Sequence, residues 1–297
     1  MLMLLAPLAA MAAAGPEVHG VVMPRSGVRP IDRVPVDTTG MGVSVQAWGL
    51  STPTPPLTLV RDRWRLANLF AFEHTSLRTD DAPDFLATPT GRQDLYRAQW
   101  SLVSVWTPSD EATLLLVAQP GLYTDFDGPL SGRDLGFVAI GVGTWTFSDQ
   151  LTAGLGAGYI QLFGRPTVSP FLALDAELGP VVLHVLAPRE AELWVHPVEP
   201  LGLGVVGTTE GGFYHVHPDD PAVSDAYQEY SVITVGPAAA LTLRDRLRLT
   251  VHGGRALRRE LEVYRDEDSL LVDFAAEPGW VLGAGLQVVL DTGDDNE

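Results

Sequence analysis

Residues 135–147 read LGFVAIGVGTWTF, residues 151–163 read LTAGLGAGYIQLF, and the three residues SDQ (148–150) join them. Side chains alternate along a strand, so Leu135, Phe137, Ala139, Gly141, Gly143, Trp145 and Phe147 all face one way. In the second stretch Leu151, Ala153, Leu155, Ala157, Tyr159 and Phe163 form one face, and Thr152, Gly154, Gly156 and Gly158 the other. One side is apolar with aromatics near its ends, and the other is small or polar. Phe137 and Phe147 stand ten residues apart. At roughly 3.3 Å per residue and a tilt of about 40°, that separation is roughly 25 Å along a barrel axis, the height of the apolar band of an outer-membrane barrel.

The pattern recurs outward from this hairpin. Tyr96, Ala98, Trp100, Leu102 and Trp106 oppose Arg97, Gln99 and Ser101. Leu247, Leu249 and Val251 oppose Arg248, Thr250 and His252, while Trp280, Leu282, Ala284, Leu286, Val288 and Leu290 oppose Gly283, Gly285 and Gln287. A soluble sandwich also alternates, but its polar faces meet water and carry many charges. Here the second face is mostly Gly, Thr, Ser and Gln, which favours a closed barrel.

Strands are predicted at 40–50, 63–73, 95–106, 111–122, 135–147, 151–163, 168–177, 181–187, 191–196, 201–215, 227–243, 247–258, 269–275 and 280–290. Short links (108–110, 148–150, 178–180, 197–200, 244–246, 277–279) interleave with longer ones (77–94, 124–134, 164–167, 218–226, 259–268), as in barrels with short turns at one mouth and loops at the other. The Pro-rich link 51–62 and the brief link 188–190 depart from that alternation. The expected fold is all-β: a single antiparallel up-and-down transmembrane β-barrel of about 12 strands, within a range of 10 to 14.

Composition agrees. Thirty Gly and 23 Pro, without long windows of apolar residues at three-and-four spacing, argue against helical classes. A net charge of -18, with all nineteen basic residues Arg, repels nucleic acid and makes it an unsuitable partner. The absence of Cys removes disulfides, thiolate nucleophiles and thiolate metal sites. Residues 1–14 read as a signal peptide cut after Ala14, though without a basic leading region, and 15–39 as a linker or plug-like segment. The barrel is assigned to 40–290 and an acidic tail to 291–297. Beyond Ala14 no run approaches the roughly 18 apolar residues of a membrane helix, so any crossing is made by strands.

The stretch Gly154-Leu155-Gly156-Ala157-Gly158-Tyr159, with Phe163-Gly164-Arg165-Pro166, Pro170, Leu186-Ala187-Pro188-Arg189 and Gly211-Gly212-Phe213-Tyr214, resembles an uncharacterised bacterial family of outer-membrane β-barrel proteins. The likeness covers about residues 130–290 and implies fold and location. That family has no established activity or site residues to carry over. Many such barrels end on an aromatic residue, whereas the last strand here ends at Leu290 and is followed by the acidic tail.

Several residue groups invite a chemical reading. His215 and His217, two apart on a strand with Asp219 close by, have zinc-ligand character, but their parity with Leu201, Leu203, Val205 and Phe213 predicts solvated histidines at the outer rim. Asp125-Phe126-Asp127-Gly128 starts like a calcium loop but lacks its distal Glu, so a hairpin tip is expected. Gly154, Gly156 and Gly158 have the wrong spacing for a dinucleotide fingerprint and suit barrel curvature. Ser224 and Asp225 near His215 would serve a rim hydrolase, but no Gly-x-Ser-x-Gly elbow is present. Arg65, Glu73, Arg97, Gln99, Asp175, Glu177, Arg248 and His252 are expected to line the lumen, filling it or leaving a very narrow passage. The expected function is thus an outer-membrane barrel in contact with lipid, structural or a narrow nonspecific channel, with no catalytic residues and no cofactor. The alternatives are a soluble secreted or periplasmic barrel binding a small ligand, and an outer-membrane rim hydrolase.

Overall fold

The structure, a computed structural model, describes residues 14–30, 42–53, 60–61, 63–80, 92–162, 165–217, 226–243, 246–265 and 269–289. Most of the expected signal peptide, the acidic tail, Asp219, Ser224 and Asp225 lie outside the described residues. In chain order the strands are β1 (Ala14–Pro30), β2 (Gly42–Pro53), β3 (Val60–Arg61), β4 (Trp64–Asp80), β5 (Arg92–Trp106), β6 (Ala112–Thr124), β7 (Leu135–Ser148) and β8 (Leu151–Ile160). They continue as β9 (Thr167–Leu178), β10 (Val181–Ala187), β11 (Glu190–Val198), β12 (Leu201–Val216), β13 (Ala226–Leu243), β14 (Leu247–Tyr264), β15 (Leu270–Ala276) and β16 (Gly279–Val289). A 3-10 turn, Gly132–Asp134, precedes β7.

β3 is a two-residue flap on β4. β15 and β16 are halves of one stave broken at Glu277-Pro278, because both pair with β14 on one side and β1 on the other. Fourteen staves remain, each antiparallel to its neighbours in chain order, and the pairing of β1 with the last stave closes the barrel. Closure gives every stave a neighbour on both sides, so the described residues include no terminal edge strand. The stave missing from the sequence reading is β1, whose residues were assigned to the linker or plug. Pro24 and Pro30 obscure its alternation, and the register shift between Met23 and Ser26 is what accommodates Pro24 in a paired strand.

The hairpin of 135–163 forms as its parity dictates. β7 and β8 pair from Ala139↔Tyr159 to Ser148↔Leu151, with Leu135, Phe137, Trp145, Phe147 and Leu155 exposed outward. Gly156 shows why small residues line the inner face: a Cβ there would stand 2.2 Å from the Gly141 carbonyl oxygen.

The start of β1, the end of β16 and most of the short links share one end of the barrel, called the turn end; the opposite mouth is the loop end. Exposed Trp64, Trp106, Trp145 and Phe147 mark the outer face near the turn end. A second aromatic row stands toward the loop end, where Trp48 meets Phe72 (5.5 Å between centroids), Phe72 meets Tyr96 (6.2 Å) and Tyr96 meets Phe126 (5.1 Å). Between the rows the outer face is apolar, with Leu50, Phe70, Trp100, Leu116 and Leu155 all exposed. From β9 to β12 the outward residues are instead aliphatic, among them Val168, Leu172, Leu193, Val195, Leu203 and Val205.

The inner face is less uniform than its Gly, Thr, Ser and Gln content predicts. One apolar cluster (Leu69, Val103, Leu115, Val117, Val138, Val142, Phe171 and others) lines staves β4 to β10. Another (Met23, Val45, Leu77, Leu95, Tyr123, Tyr214, Val232, Leu261, Phe274 and others) fills the loop end. The reason is geometric. β10 has 7 residues and β11 has 9, against 18 in β13 and β14, so the wall dips at β10 and β11. Above that dip the top of β12 reaches β6 and pairs with it in parallel at His215↔Thr124. Staves β7 to β11 are bypassed, so nine staves enclose the loop end where fourteen enclose the turn end. Side chains from opposite walls meet there and pack.

Candidate functional site

Two polar constellations stand out among the described residues, one in the lumen and one on the outward side of β12, where it meets the β6–β7 connection. Every predicted lumen residue has inward parity. Arg97 on β5 donates to the Glu73 carboxylate on β4 and, through Nη1, to the Gly211 carbonyl on β12 (3.3 Å), so its guanidinium reaches across the interior. Gln99 Nε2 donates to the Tyr123 hydroxyl (2.5 Å) beside it. Asp175 accepts from His184 Nδ1 (2.5 Å), with Glu190 3.5 Å from the other ring nitrogen. Arg248 lies over the Trp194 ring at 5.7 Å, and Trp194 Nε1 donates to Glu192 (2.8 Å). The structure thus joins Glu73 to Arg97, and gives Asp175, Arg248 and Gln99 partners that the sequence reading did not name. Arg65, exposed near the turn end, Glu177 and His252 are not brought together with the others. A Cβ at Gly283 would lie 2.2 Å from the His252 ring, so glycine there lets the imidazole lie flat on the wall.

The sequence reading missed Glu210. It is exposed to water although it stands inside the barrel, and the charges facing it are Glu73, Arg97, His19 and Arg189. An enclosed carboxylate with water access indicates a wet compartment at mid-height. Parity could have found it, since Val206, Thr208 and Glu210 alternate with the outward Leu203 and Val205. The same signal was open for His184, between Leu183 and Val185.

The second constellation corrects the rim reading of His215 and His217. His215 is 2% exposed and donates through Nδ1 to Asp134 (3.1 Å), itself 0% exposed. His217 donates through its backbone N–H (2.5 Å) and Nδ1 (3.0 Å) to Asp125, and the two imidazoles meet edge-on at 4.7 Å. The parity was right, but the outward face of β12 at this height is covered by the connection from β6 to β7, which solvated rim residues would not be. Asp125-Phe126-Asp127-Gly128 is therefore half of a clasp, with Asp125 also accepting from the Asp127 N–H (3.1 Å). Asp134 closes a capping box with Ser131, accepting from its N–H (2.6 Å) and hydroxyl (3.1 Å). Burial opposes ionisation of Asp134, but hydrogen bonds from the Ser131 N–H, Thr124, His215 and the Ser131 hydroxyl outweigh it and hold its carboxyl below the ordinary value. Both Nδ1 atoms are committed to carboxylates, and no group of three metal-ligating side chains occurs among the described residues.

A buried acid completes the loop end. Glu229, fourteen residues along β13 from Leu243, stands roughly 35 Å from the turn end and so above the apolar band. Burial, and then the negative charge of its cross-strand neighbour Glu262, push its carboxyl up to about 7.

Neither a family model nor a curated protein matches the chain. Among solved structures it is similar to the NanC porin at 9% identity and a TM-score of 0.36, with 92% of this chain and 99% of that one covered. The β domain of the Bordetella autotransporter BrkA gives 12% identity and a TM-score of 0.32 over 93% and 99%. The outer membrane protease OmpT from Escherichia coli gives 10% identity and a TM-score of 0.24 over 93% and 97%. At these TM-scores the likenesses carry no argument about location or activity.

Proposed function

We propose that this chain is an outer-membrane β-barrel whose lumen is a narrow, charged passage closed at the loop end in the conformation described. The observation that carries the membrane reading is the outer face: an apolar surface between aromatic rows about one bilayer core apart, on a barrel whose interior also holds apolar clusters. A water-soluble barrel would expose that surface at great cost, because such patches on soluble proteins stay small. In this reading the turn end faces the periplasm and the loop end the exterior. The enclosed but hydrated Glu210, with Arg97 and Glu73 beside it, favours small solutes as the cargo, and the plugged loop end favours a low or gated conductance.

Cell fractionation with heat-modifiable gel mobility tests membrane residence and barrel closure together. A chain that stays soluble without detergent and fractionates with periplasm would overturn the reading in favour of a soluble ligand-binding barrel. Planar bilayers then test the passage: small conductance steps are expected, and a barrel that inserts yet never conducts would leave a structural role.

A further inference from the structure

On the outer face of the loop end, three arginines from three staves stand in one row. Trp48, His74 and Tyr96 face one another across β2, β4 and β5 in the second aromatic row. Four residues further along the same staves, the register sets Ser44 opposite Arg78 and Arg78 opposite Arg92. Arg25 joins them from the irregular part of β1, where Pro24 and Arg25 together face Ser44. A glycine makes this possible: a Cβ at Gly42 would stand 2.3 Å from Arg25 Nε, so its absence lets the side chain lie across β2 and reach Asp80 on β4 (3.1 Å). The side chains of Arg25, Arg78 and Arg92 are 58%, 70% and 53% exposed.

The charges in this row do not cancel. Arg25 and, more loosely, Arg78 (3.8 Å) share the single carboxylate of Asp80, while Asp94 is held by Arg92 (3.0 Å) and His74 (2.9 Å). Three guanidiniums thus stand over two carboxylates. Arg78 and Arg92 are directly opposite each other, an arrangement of like charges that destabilises a sheet unless something anionic lies between them. Among the described residues Arg78 donates no hydrogen bond, so its planar fork is open to a ligand. In a chain of net charge -18, such a local surplus of positive charge marks a place for an anion.

Height decides which anion. At the rise and tilt used above, four residues set the row roughly 10 Å beyond Trp48, His74 and Tyr96. Interfacial aromatics mark the start of the headgroup layer, and long arginine side chains bend along the wall to reach it. We propose that Arg25, Arg78 and Arg92 form a docking site for the phosphate of an outer-leaflet lipid headgroup, with the acyl chains of that lipid lying on the exposed Leu50, Phe70 and Trp100 below. A phosphate between Arg78 and Arg92 turns their opposition into attraction, while Asp80 and Asp94 hold the guanidiniums in position. The site rests on the membrane reading.

The test inserts the refolded barrel into vesicles of phosphatidylcholine, alone or mixed with phosphatidic acid, whose headgroup is a bare phosphate. Two quantities are read: the temperature at which the fast-migrating folded band is lost, and the phosphatidic acid that stays on the barrel in native mass spectra after extraction in maltoside detergent. A saturable rise of several degrees with phosphatidic acid and a retained lipid adduct are expected, because a ligand that binds only the folded state stabilises it. Inorganic phosphate added to phosphatidylcholine vesicles should do neither. Arg78→Gln combined with Arg92→Gln should lose both responses while unfolding no earlier than wild type in phosphatidylcholine, since the pair relieves opposed charges. Arg246→Gln, a charge removed at an exposed turn-end position, should respond as wild type does. A full response in the Arg78/Arg92 double variant would overturn the site, and an equal rise with inorganic phosphate would overturn the lipid as its occupant. A barrel that inserts into phosphatidylcholine yet ignores phosphatidic acid overturns this inference and leaves the membrane reading standing; one that inserts into neither overturns both.

Discussion

The turn end and the loop end are built from the same staves but solve different problems. At the turn end fourteen staves are held mainly by antiparallel ladders, with half-buried polar residues such as Glu177, Arg248 and His252 facing inward. At the loop end nine staves converge, water is displaced by an apolar cluster, and the closing contact between β6 and β12 is made by buried His–Asp pairs. Ladder hydrogen bonds are redundant, so a single side chain at the turn end matters little. The clasp has few members, and His215, Asp134 and Asp125 are buried among partners that cannot rehydrate when one is removed.

That contrast should show first in Asp134→Ala. Removing a fully buried carboxylate that serves both His215 and the capping box should cost about 3 kcal/mol in urea titrations of the refolded barrel, with lost exchange protection confined to the loop end. Arg248→Ala, at the turn end, should cost less than about 1 kcal/mol by the same measurement; equal losses would break the distinction. The Asp134 carboxyl lies below its ordinary value in the folded chain, so its contribution is fully present above the ordinary 3.8 and disappears as pH falls through the lower folded value. Acid should therefore loosen the loop end only below about pH 4.

Next in size, Gly156→Val drives a side chain into the Gly141 carbonyl and should cost about 2 kcal/mol, read as earlier loss of the fast-migrating folded band. Glu229→Gln tests the opposite sign. Its carboxyl is raised to about 7, so the folded chain holds that proton more tightly, and stability falls as pH rises from the ordinary value near 4.5 through about 7. The amide should remove that slope and raise stability by about 1 kcal/mol at pH 8, measured by urea midpoints at pH 5 and pH 8. Smallest in stability is Glu210→Gln, expected within about 0.5 kcal/mol of wild type because water already reaches the group. Any conductance should nonetheless become less cation-selective, as measured by reversal potential in a salt gradient.

Much of the wall was legible because strand parity is a local property. LGFVAIGVGTWTF carries its own facing instructions, and so do the staves around Trp100 and Leu249. β1 was not legible because its prolines interrupt the period, and only its partners β2 and β16 reveal it as a stave. Inward facing of Arg97, Asp175 and Arg248 followed from parity, whereas their partners did not: Arg97 reaches Gly211 from 114 residues away. His215 shows the limit most clearly. Its alternation put it on the outward face, but 81 residues separate it from Asp134, and only the dip at β10 and β11 lets the two meet.

The ring of nine has an arithmetic consequence. Staves that alternate up and down can close without conflict only in even number, as the fourteen do. An odd ring must seat two like-directed staves side by side, and here they are β6 and β12, which share a single bridge where other neighbours share a full ladder. The loop-end mouth thus carries one seam by necessity. Parting it would sacrifice that bridge and the His–Asp contacts, together with the Tyr123–Tyr214 ring contact and the Arg97–Gly211 hydrogen bond that cross the loop end, while the antiparallel ladders stayed intact.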